Sequence, residues 1–380
     1  MYHEAKKSLL RFATKEQAEQ PTHFFECAEL ILSWLSPSEL ALISSTCKTF
    51  YQISKSITTI RSSDASRNLE NHPIPFINTC DSLPYSYFIY TPTQILGLPS
   101  PHSSQQWGQL VQSHLQNKIS DLFETPILYP KPTIISSLRV GNGYGCVCKD
   151  CLDGESDVET QCPCSRLKPK FLTGLVLDSE VMTECGPTCV CDFGCANRLT
   201  QQGVIVRLRI VRQSRKGWGL YAAEFIQRGK FICEYAGELL TTAEARMRQQ
   251  TYDQYAAEGQ FSSALLVVRE HLPSGNACLR INIDATRIGN IARFINHSCD
   301  GGNLLTLLVR NAGALFPRLC FFASRDILEG EELAFSYGDT RLRSNDSLVT
   351  VSVWNKNHLW QPADHYEFCG HRTMEISSSS

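Results

Sequence analysis

The chain is 380 residues long, with 36 basic against 38 acidic side chains and a formal charge of -2. That length leaves room for two to three domains of about 150 residues, and a composition 42% apolar and 19% charged excludes wholesale disorder. The near balance of charge argues against a protein that coats nucleic acid through a global basic field, and no apolar run approaches the ~18 residues of a membrane span.

Residues 1–17 are mixed in charge and carry no apolar core, so the expectation is no export and a reducing compartment in which the 17 cysteines are thiols. A small helical module is predicted over residues 20–60. Within 23–51 the apolar positions recur at helical spacing in two stripes, Leu30, Ile31 and Trp34, then Leu40, Leu42 and Ile43. The break falls at Ser36-Pro37, with Pro37 suited to the first turn of the second helix and Ser36 to its N-cap. Residues 61–140 read as a linker and irregular region, rich in Ser, Pro and Asn up to about residue 109. Leu110 to Phe123 offers one helix there.

Nine cysteines then concentrate within residues 141–200, as Cys146, Cys148 and Cys151, then Cys162 and Cys164, then Cys185, Cys189, Cys191 and Cys195. No histidine interrupts them. Paired C-x-C spacing is a metal-ligand signature. Two four-thiolate zinc sites would leave one thiol over, whereas three zincs need twelve ligand positions, which nine thiolates supply if three of them bridge. The count therefore points to a trinuclear zinc cluster of structural role, because sites saturated with thiolate leave no open position.

From residue 201 to 340 the character becomes β. Strands are predicted at Val204–Val206 through Ile210–Val211, Phe231–Cys233, Ala264–Val268, Leu279–Ile283 and Cys320–Phe322, with a hairpin turn at Pro273-Ser274-Gly275. Thr241 to Glu244 has the capping-box pattern and opens a helix to about Gln250. Residues 341–380 show weak periodicity.

Four pieces of this region carry unusual chemistry: Lys216-Gly217-Trp218-Gly219-Leu220, Glu234-Tyr235-Ala236-Gly237-Glu238, Arg293-Phe294-Ile295-Asn296-His297-Ser298-Cys299, and Glu331 through Asp339, EELAFSYGD. A hydrophobic core has no use for Asn, His, Ser and Cys in succession. In this order, after nine cysteines and Asn197-Arg198, the pieces resemble the pre-SET and SET regions of histone-lysine methyltransferases of the suppressor-of-variegation class. The resemblance covers about half the chain. It implies an α+β, mainly β SET fold: a β-clip of small sheets with a threaded C-terminal segment, preceded by the zinc cluster and the helical module.

The resemblance further implies S-adenosylmethionine as cofactor, held by Lys216, Gly217 and Trp218 through main chain and by Asn296 and His297. Tyr252 is a further contact, with Tyr255 as the alternative, and Arg293 opens the motif. It implies Tyr337 and Tyr235 as catalytic tyrosines, and Phe335 in the lysine channel, where phenylalanine rather than tyrosine favours di- or trimethylation. The implied substrate is a histone tail, histone H3 at lysine nine, adding a strand to the sheet, with nucleosomes and chromatin as partners, a silencing role, and nucleus and chromosome as location.

Two departures from the family pattern stand out. The run Cys299-Asp300-Gly301-Gly302-Asn303 is one residue longer than the usual motif and lacks its proline. The C-terminal C-x-C-x4-C that would complete a further zinc with Cys299 is missing, leaving Cys369 and His371, too few for a tetrahedral site. The other reading is thus a weak or inactive SET scaffold. Residues 23–51 resemble an F-box, which implies a Skp-type adaptor of ubiquitin ligases as partner and would link such a scaffold to a ligase. A helical pair packed on its own chain is the alternative for that segment.

Overall fold

The computed structural model describes residues 27–96, 145–148, 151, 162, 164, 181–258, 261–271, 278–337 and 349–353. The predicted helix at 110–123, the turn at 273–275, and Cys369 and His371 lie outside these residues.

Residues 27–32 are helical, followed by α1 (Pro37–Ser44) and α2 (Lys48–Ser63). Ser36 caps α1 as expected: the Glu39 backbone N–H donates to its hydroxyl at 3.4 Å, and Glu39 Oε2 accepts from the Ser36 backbone N–H at 2.7 Å. Such a box stabilises the helix end by about 1 kcal/mol. The buried face is Ala28, Leu32, Leu40, Ile53 and Ile57. Leu30, Ile31, Trp34 and Leu42 instead face solvent. In the helix over 27–32, residues 28 and 32 share one face and residue 30 lies on the opposite one.

Residues 64–96 are not a linker. Asp64 ends α2 and gathers the turn: its Oδ1 accepts from the N–H groups of Ser66 and Ile74, both at 2.9 Å, and its Oδ2 from the Asn68 N–H at 2.7 Å. Three short strands follow, β1 (Phe76–Asn78), β2 (Ile89–Tyr90) and β3 (Ile95–Leu96). Each adds in parallel to a later strand, and Phe76, Tyr85, Phe88 and Tyr90 join the main core.

After β4 (Met182–Glu184), strands β5 (Leu208–Gln213) and β6 (Gly217–Ala222) form a hairpin, and β1 completes a three-stranded sheet. The predicted strand at 204–206 is irregular chain with Val204 and Val206 buried. A four-stranded sheet is ordered β4, β12 (Leu304–Asn311), β13 (Arg318–Ala323), β7 (Phe231–Glu234). The largest sheet runs β15 (Val349–Val353), β9 (Leu265–His271), β10 (Cys278–Gly289), β8 (Gly237–Leu240), β3, with β2 also on β10. Its helix α3 (Thr242–Glu258) starts where the capping box predicts and runs beyond Gln250. The weakly periodic tail therefore supplies an edge strand, antiparallel to β9.

A buried ion network joins these parts. The Arg318 guanidinium reaches Glu184 at 3.1 Å and Glu234 at 3.3 Å, and Glu184 also accepts from the Thr200 N–H at 2.7 Å. The Glu234 carboxylate accepts from the Gln94 N–H at 3.0 Å, so the cysteine-rich segment, the four-stranded sheet and residues 93–94 share one set of charges. Removing one member would strand an uncompensated buried charge, a loss of roughly 3–5 kcal/mol.

Candidate active site and metal centre

The Arg293 segment begins as a 3-10 turn (Ile291–Phe294) and continues into β11 (Asn296–His297). The β11 strand pairs in parallel with β14 (Ala334–Phe335), in the register Asn296 to Ala334 and His297 to Phe335. On its other side the 331–335 segment bonds to β6: the Ala222 N–H donates to Glu331 O at 2.9 Å and the Leu333 N–H to Leu220 O at 2.7 Å. The last segment is thus threaded between two pieces of chain.

Asn303 locks the thread. Its Nδ2 donates to Glu332 O at 2.9 Å and its Oδ1 accepts from the Ala334 N–H at 3.0 Å, while its own N–H donates to Ala334 O at 3.1 Å. Within the Cys299-to-Asn303 run, Gly302 has a φ of 73° and a Cβ there would lie 2.2 Å from Ala334 O. Only glycine meets both conditions.

This threading brings most of the expected site residues together. Asn296 Nδ2 donates to Glu332 Oε1 at 2.7 Å and to Trp218 O at 3.4 Å, and Glu332 Oε2 pairs with Lys216 Nζ at 3.0 Å. Gly219 permits that approach: a Cβ there would lie 2.9 Å from Glu332 Oε1 and 3.0 Å from Asn296 Nδ2. His297 Nδ1 accepts from the Tyr337 N–H at 3.2 Å, with the two rings 5.1 Å apart, and His297 Nε2 lies 3.2 Å from Cys299 Sγ.

The Tyr337 hydroxyl donates to Ile295 O at 2.7 Å and the Tyr235 hydroxyl to Ala264 O at 2.8 Å. Rings connect the two: Tyr235 to Phe321 at 6.4 Å, Phe321 to Phe335 at 4.8 Å, Phe335 to Tyr337 at 4.9 Å. Burial pushes both phenols well above the ordinary value, with Tyr337 adding to the shift of Tyr235 and Glu332 to that of Tyr337. Both therefore stay protonated at neutral pH.

The Tyr252 hydroxyl donates to Asp284 Oδ2 at 2.7 Å, and Arg248 holds the same oxygen at 2.9 Å while pairing with Glu238 at 2.7 Å. The alternative, Tyr255, is exposed. Arg293 lies over the Phe88 ring at 4.9 Å, and its Nη1 is buried without a hydrogen-bond partner among the described residues. Burial lowers its pKa to about 10, opposed by Tyr235, Asp284 and Tyr252. Glu332, Asn303 and Asp284 were not singled out by sequence reasoning. Glu332 stood inside a quoted motif, and Asn303 inside the noted departure.

Seven of the nine clustered cysteines are buried together, with Cys148 and Cys189 packed against them, and none forms a disulfide. Sulfur separations are 3.6 Å for Cys146–Cys151, 3.7 Å for Cys151–Cys185, 3.8 Å for Cys146–Cys185 and 3.7 Å for Cys164–Cys189. A tetrahedron of sulfurs about 2.3 Å from zinc has edges of about 3.8 Å, so the donor set fits the metal. Peptide and side-chain donors surround it: the Gly186 N–H reaches Cys189 Sγ at 3.2 Å and Asn197 Nδ2 reaches Cys185 Sγ at 3.3 Å. Without a cation, burial pushes Cys164 up to about 12, and Cys146, Cys151 and Cys185 higher still. A divalent metal is what would keep such sulfurs ionised.

Comparison with known proteins agrees with this geometry. Residues 217–338 match the SET domain model and residues 25–60 the F-box domain model. The chain is 53% identical over 320 residues to histone-lysine N-methyltransferase SUVR3 of Arabidopsis thaliana, covering 83% of this chain and 84% of that protein. It is 34% identical over 240 residues to mouse histone-lysine N-methyltransferase SETMAR, covering 60% of this chain and 68% of that protein. Among solved structures, the methyltransferase domain of human SETMAR superposes with a TM-score of 0.56 at 28% identity, covering 82% of this chain and 96% of that one. The chain belongs to the SET-domain histone-lysine N-methyltransferases, with an F-box segment ahead of the cysteine cluster.

Proposed function

We propose that this methyltransferase acts on the histone H3 tail at lysine nine, carrying it to the di- or trimethyl state in chromatin silencing in the nucleus. The observation that supports this most is the junction of β11 and β14, which sets Asn296, His297, Phe335 and Tyr337 side by side.

S-adenosylmethionine supplies an electrophilic methyl on a sulfonium. The residues present fit such a group: open space at Gly217, where a Cβ would meet nothing within 4 Å, the Asn296 amide, the buried Nη1 of Arg293 with no hydrogen-bond partner among the described residues, and aromatic faces suited to a cation. Because the Tyr235 and Tyr337 protons are already committed to carbonyls, their oxygens keep lone pairs to orient an incoming amine. The Phe335 and Phe321 rings exclude water, and near-attack alignment supplies the rate. The target lysine loses its proton to solvent, because neither buried phenol is ionised to accept it. Phe335, 2% exposed, lacks the hydroxyl a tyrosine would add at this position, which supports the higher methylation states. The nine thiolates hold three zinc ions as a structural prop. Cys299, beside His297, lacks a ligand set for a fourth among the described residues.

A second reading has its own support. The exposed Leu30, Ile31, Trp34 and Leu42 make an apolar face on the F-box segment that suits a Skp-type adaptor. The experiment that separates the readings incubates the zinc-loaded full chain with methyl-labelled S-adenosylmethionine and H3-tail peptide. Transfer to lysine nine that disappears in Tyr337→Phe and His297→Ala is expected. No transfer, together with a stable adaptor complex, would leave the scaffold reading.

A further inference from the structure

We propose that Arg61 and Phe76 are positioning residues for the cofactor motifs, so that the seating of the helical module on the SET sheets sets cofactor affinity. The inference rests on the reading of Trp218 and Asn296 as cofactor-holding residues.

Arg61 lies in the last turn of α2 and is 4% exposed. Its Nη2 donates to Ser33 O at 2.7 Å and Leu35 O at 2.8 Å, and its Nη1 donates to the Tyr85 hydroxyl at 3.0 Å. The guanidinium also lies over the Tyr87 ring at 4.8 Å, and the Tyr87 hydroxyl donates to Trp34 O at 3.2 Å. One planar fork therefore clamps the turn ahead of α1 to residues 85–87. Lysine has no such fork and cannot reach three acceptors in that plane.

From Tyr85 the contact continues inward. Its ring is 6.2 Å from Phe76, and Phe76 stands edge-on to Trp218 at 5.3 Å and to Phe294 at 5.8 Å. Arg212 also lies over the Trp218 ring at 5.4 Å, itself paired with Asp81 at 2.8 Å. Both groups against Trp218 thus depend on the 76–85 segment, Phe76 by lying in it and Arg212 through Asp81. Phe294 lies two residues before Asn296, so Phe76 touches the two motifs whose separation defines the cofactor site. If Arg61 merely stabilised the module, its loss would lower the melting temperature and leave affinity of the folded protein unchanged.

The test titrates S-adenosylhomocysteine calorimetrically into zinc-loaded full-length wild type, Arg61→Lys, Phe76→Leu, the double variant and Asn296→Ala. Metal content, melting temperature and the KM for H3 peptide are measured alongside. Arg61→Lys and Phe76→Leu are each expected to weaken binding about fivefold or more, with peptide KM within about twofold. The double variant should be little worse than the weaker single one, because both act through one path. Phe76→Leu keeps an apolar side chain in the core, so it decides the matter if Arg61→Lys fails to fold. Affinity within twofold of wild type in the folded variants, while Asn296→Ala loses binding, would overturn this inference alone. Undiminished binding in Asn296→Ala would remove the cofactor assignment beneath it.

Discussion

Replacing Asn303 by alanine tests the thread that places Tyr337. The side chain is buried and makes two hydrogen bonds, one to Glu332 O at 2.9 Å and one from the Ala334 N–H at 3.0 Å. Glu332 and Ala334 are partly buried, so leaving that carbonyl and that N–H without partners costs near the lower end of the range for buried groups, about 1 kcal/mol each and roughly 2 kcal/mol together. At about 2–4 °C per kcal/mol for a domain of this size, the apparent melting temperature should fall by at least about 4 °C. Because the freed backbone carries Phe335 and leads to Tyr337, a displacement near 1 Å is expected, lowering kcat by about 10- to 100-fold. Differential scanning fluorimetry and methyl transfer on the same preparation measure both. A melting point within 1 °C of wild type and an unchanged kcat would refute the locking role of Asn303.

Further outcomes are expected. Chelation of the metal, or Cys185→Ser at a sulfur within 4.0 Å of Cys146, Cys151 and Cys195, should abolish the cooperative melt, since such clusters fold with their metal. Elemental analysis should return about three zincs per chain, and one or none would remove the cluster. Phe335→Tyr should shift the product, read by mass spectrometry, towards monomethyl-lysine; an identical product distribution would show that residue 335 does not gate the channel. Burial holds the Tyr235 and Tyr337 pKa values above the ordinary phenol value, so rising pH leaves both protonated while the substrate ammonium, near 10.4, increasingly loses its proton. Methyl transfer should therefore climb from pH 7 to 9.5, and a decline over that range with zinc intact would contradict the protonation scheme. Leu30→Glu with Trp34→Glu should abolish pull-down of a Skp-type adaptor without changing methyl transfer, whereas undiminished pull-down would free that face of the assignment.

What was legible in the sequence follows from physics that acts locally or through ordered motifs. The Ser36 cap, the α3 start at Thr241 and the cysteine clustering needed no knowledge of distant chain. The tyrosines, Asn296 and His297 could be named from motif order, and the structure then joined most of them through β11 and β14. Residues 64–96 could not be read this way, because strands of two or three residues carry no periodicity and take their partners from residues more than a hundred positions away. The aromatics there, Phe76, Tyr85 and Phe88, were a signal masked by surrounding Ser and Pro. The strand at 349–353 was a missed signal of another kind, since its Val-Thr-Val-Ser-Val alternation is itself a β pattern. The exposed stripe of Leu30, Ile31 and Trp34 shows the limit of apolar periodicity, which marks a face without saying whether the same chain covers it.

The most direct test of the central claim, that the threaded Asn296–His297 strand and the two buried phenols line one site, is a crystal structure of the zinc-loaded protein with S-adenosylhomocysteine and an H3-tail peptide. The product is expected against the main chain of Lys216–Trp218 and the Asn296 amide, with the target amine between Tyr235 and Tyr337. Product density on another face, or a peptide lysine remote from both hydroxyls, would contradict it.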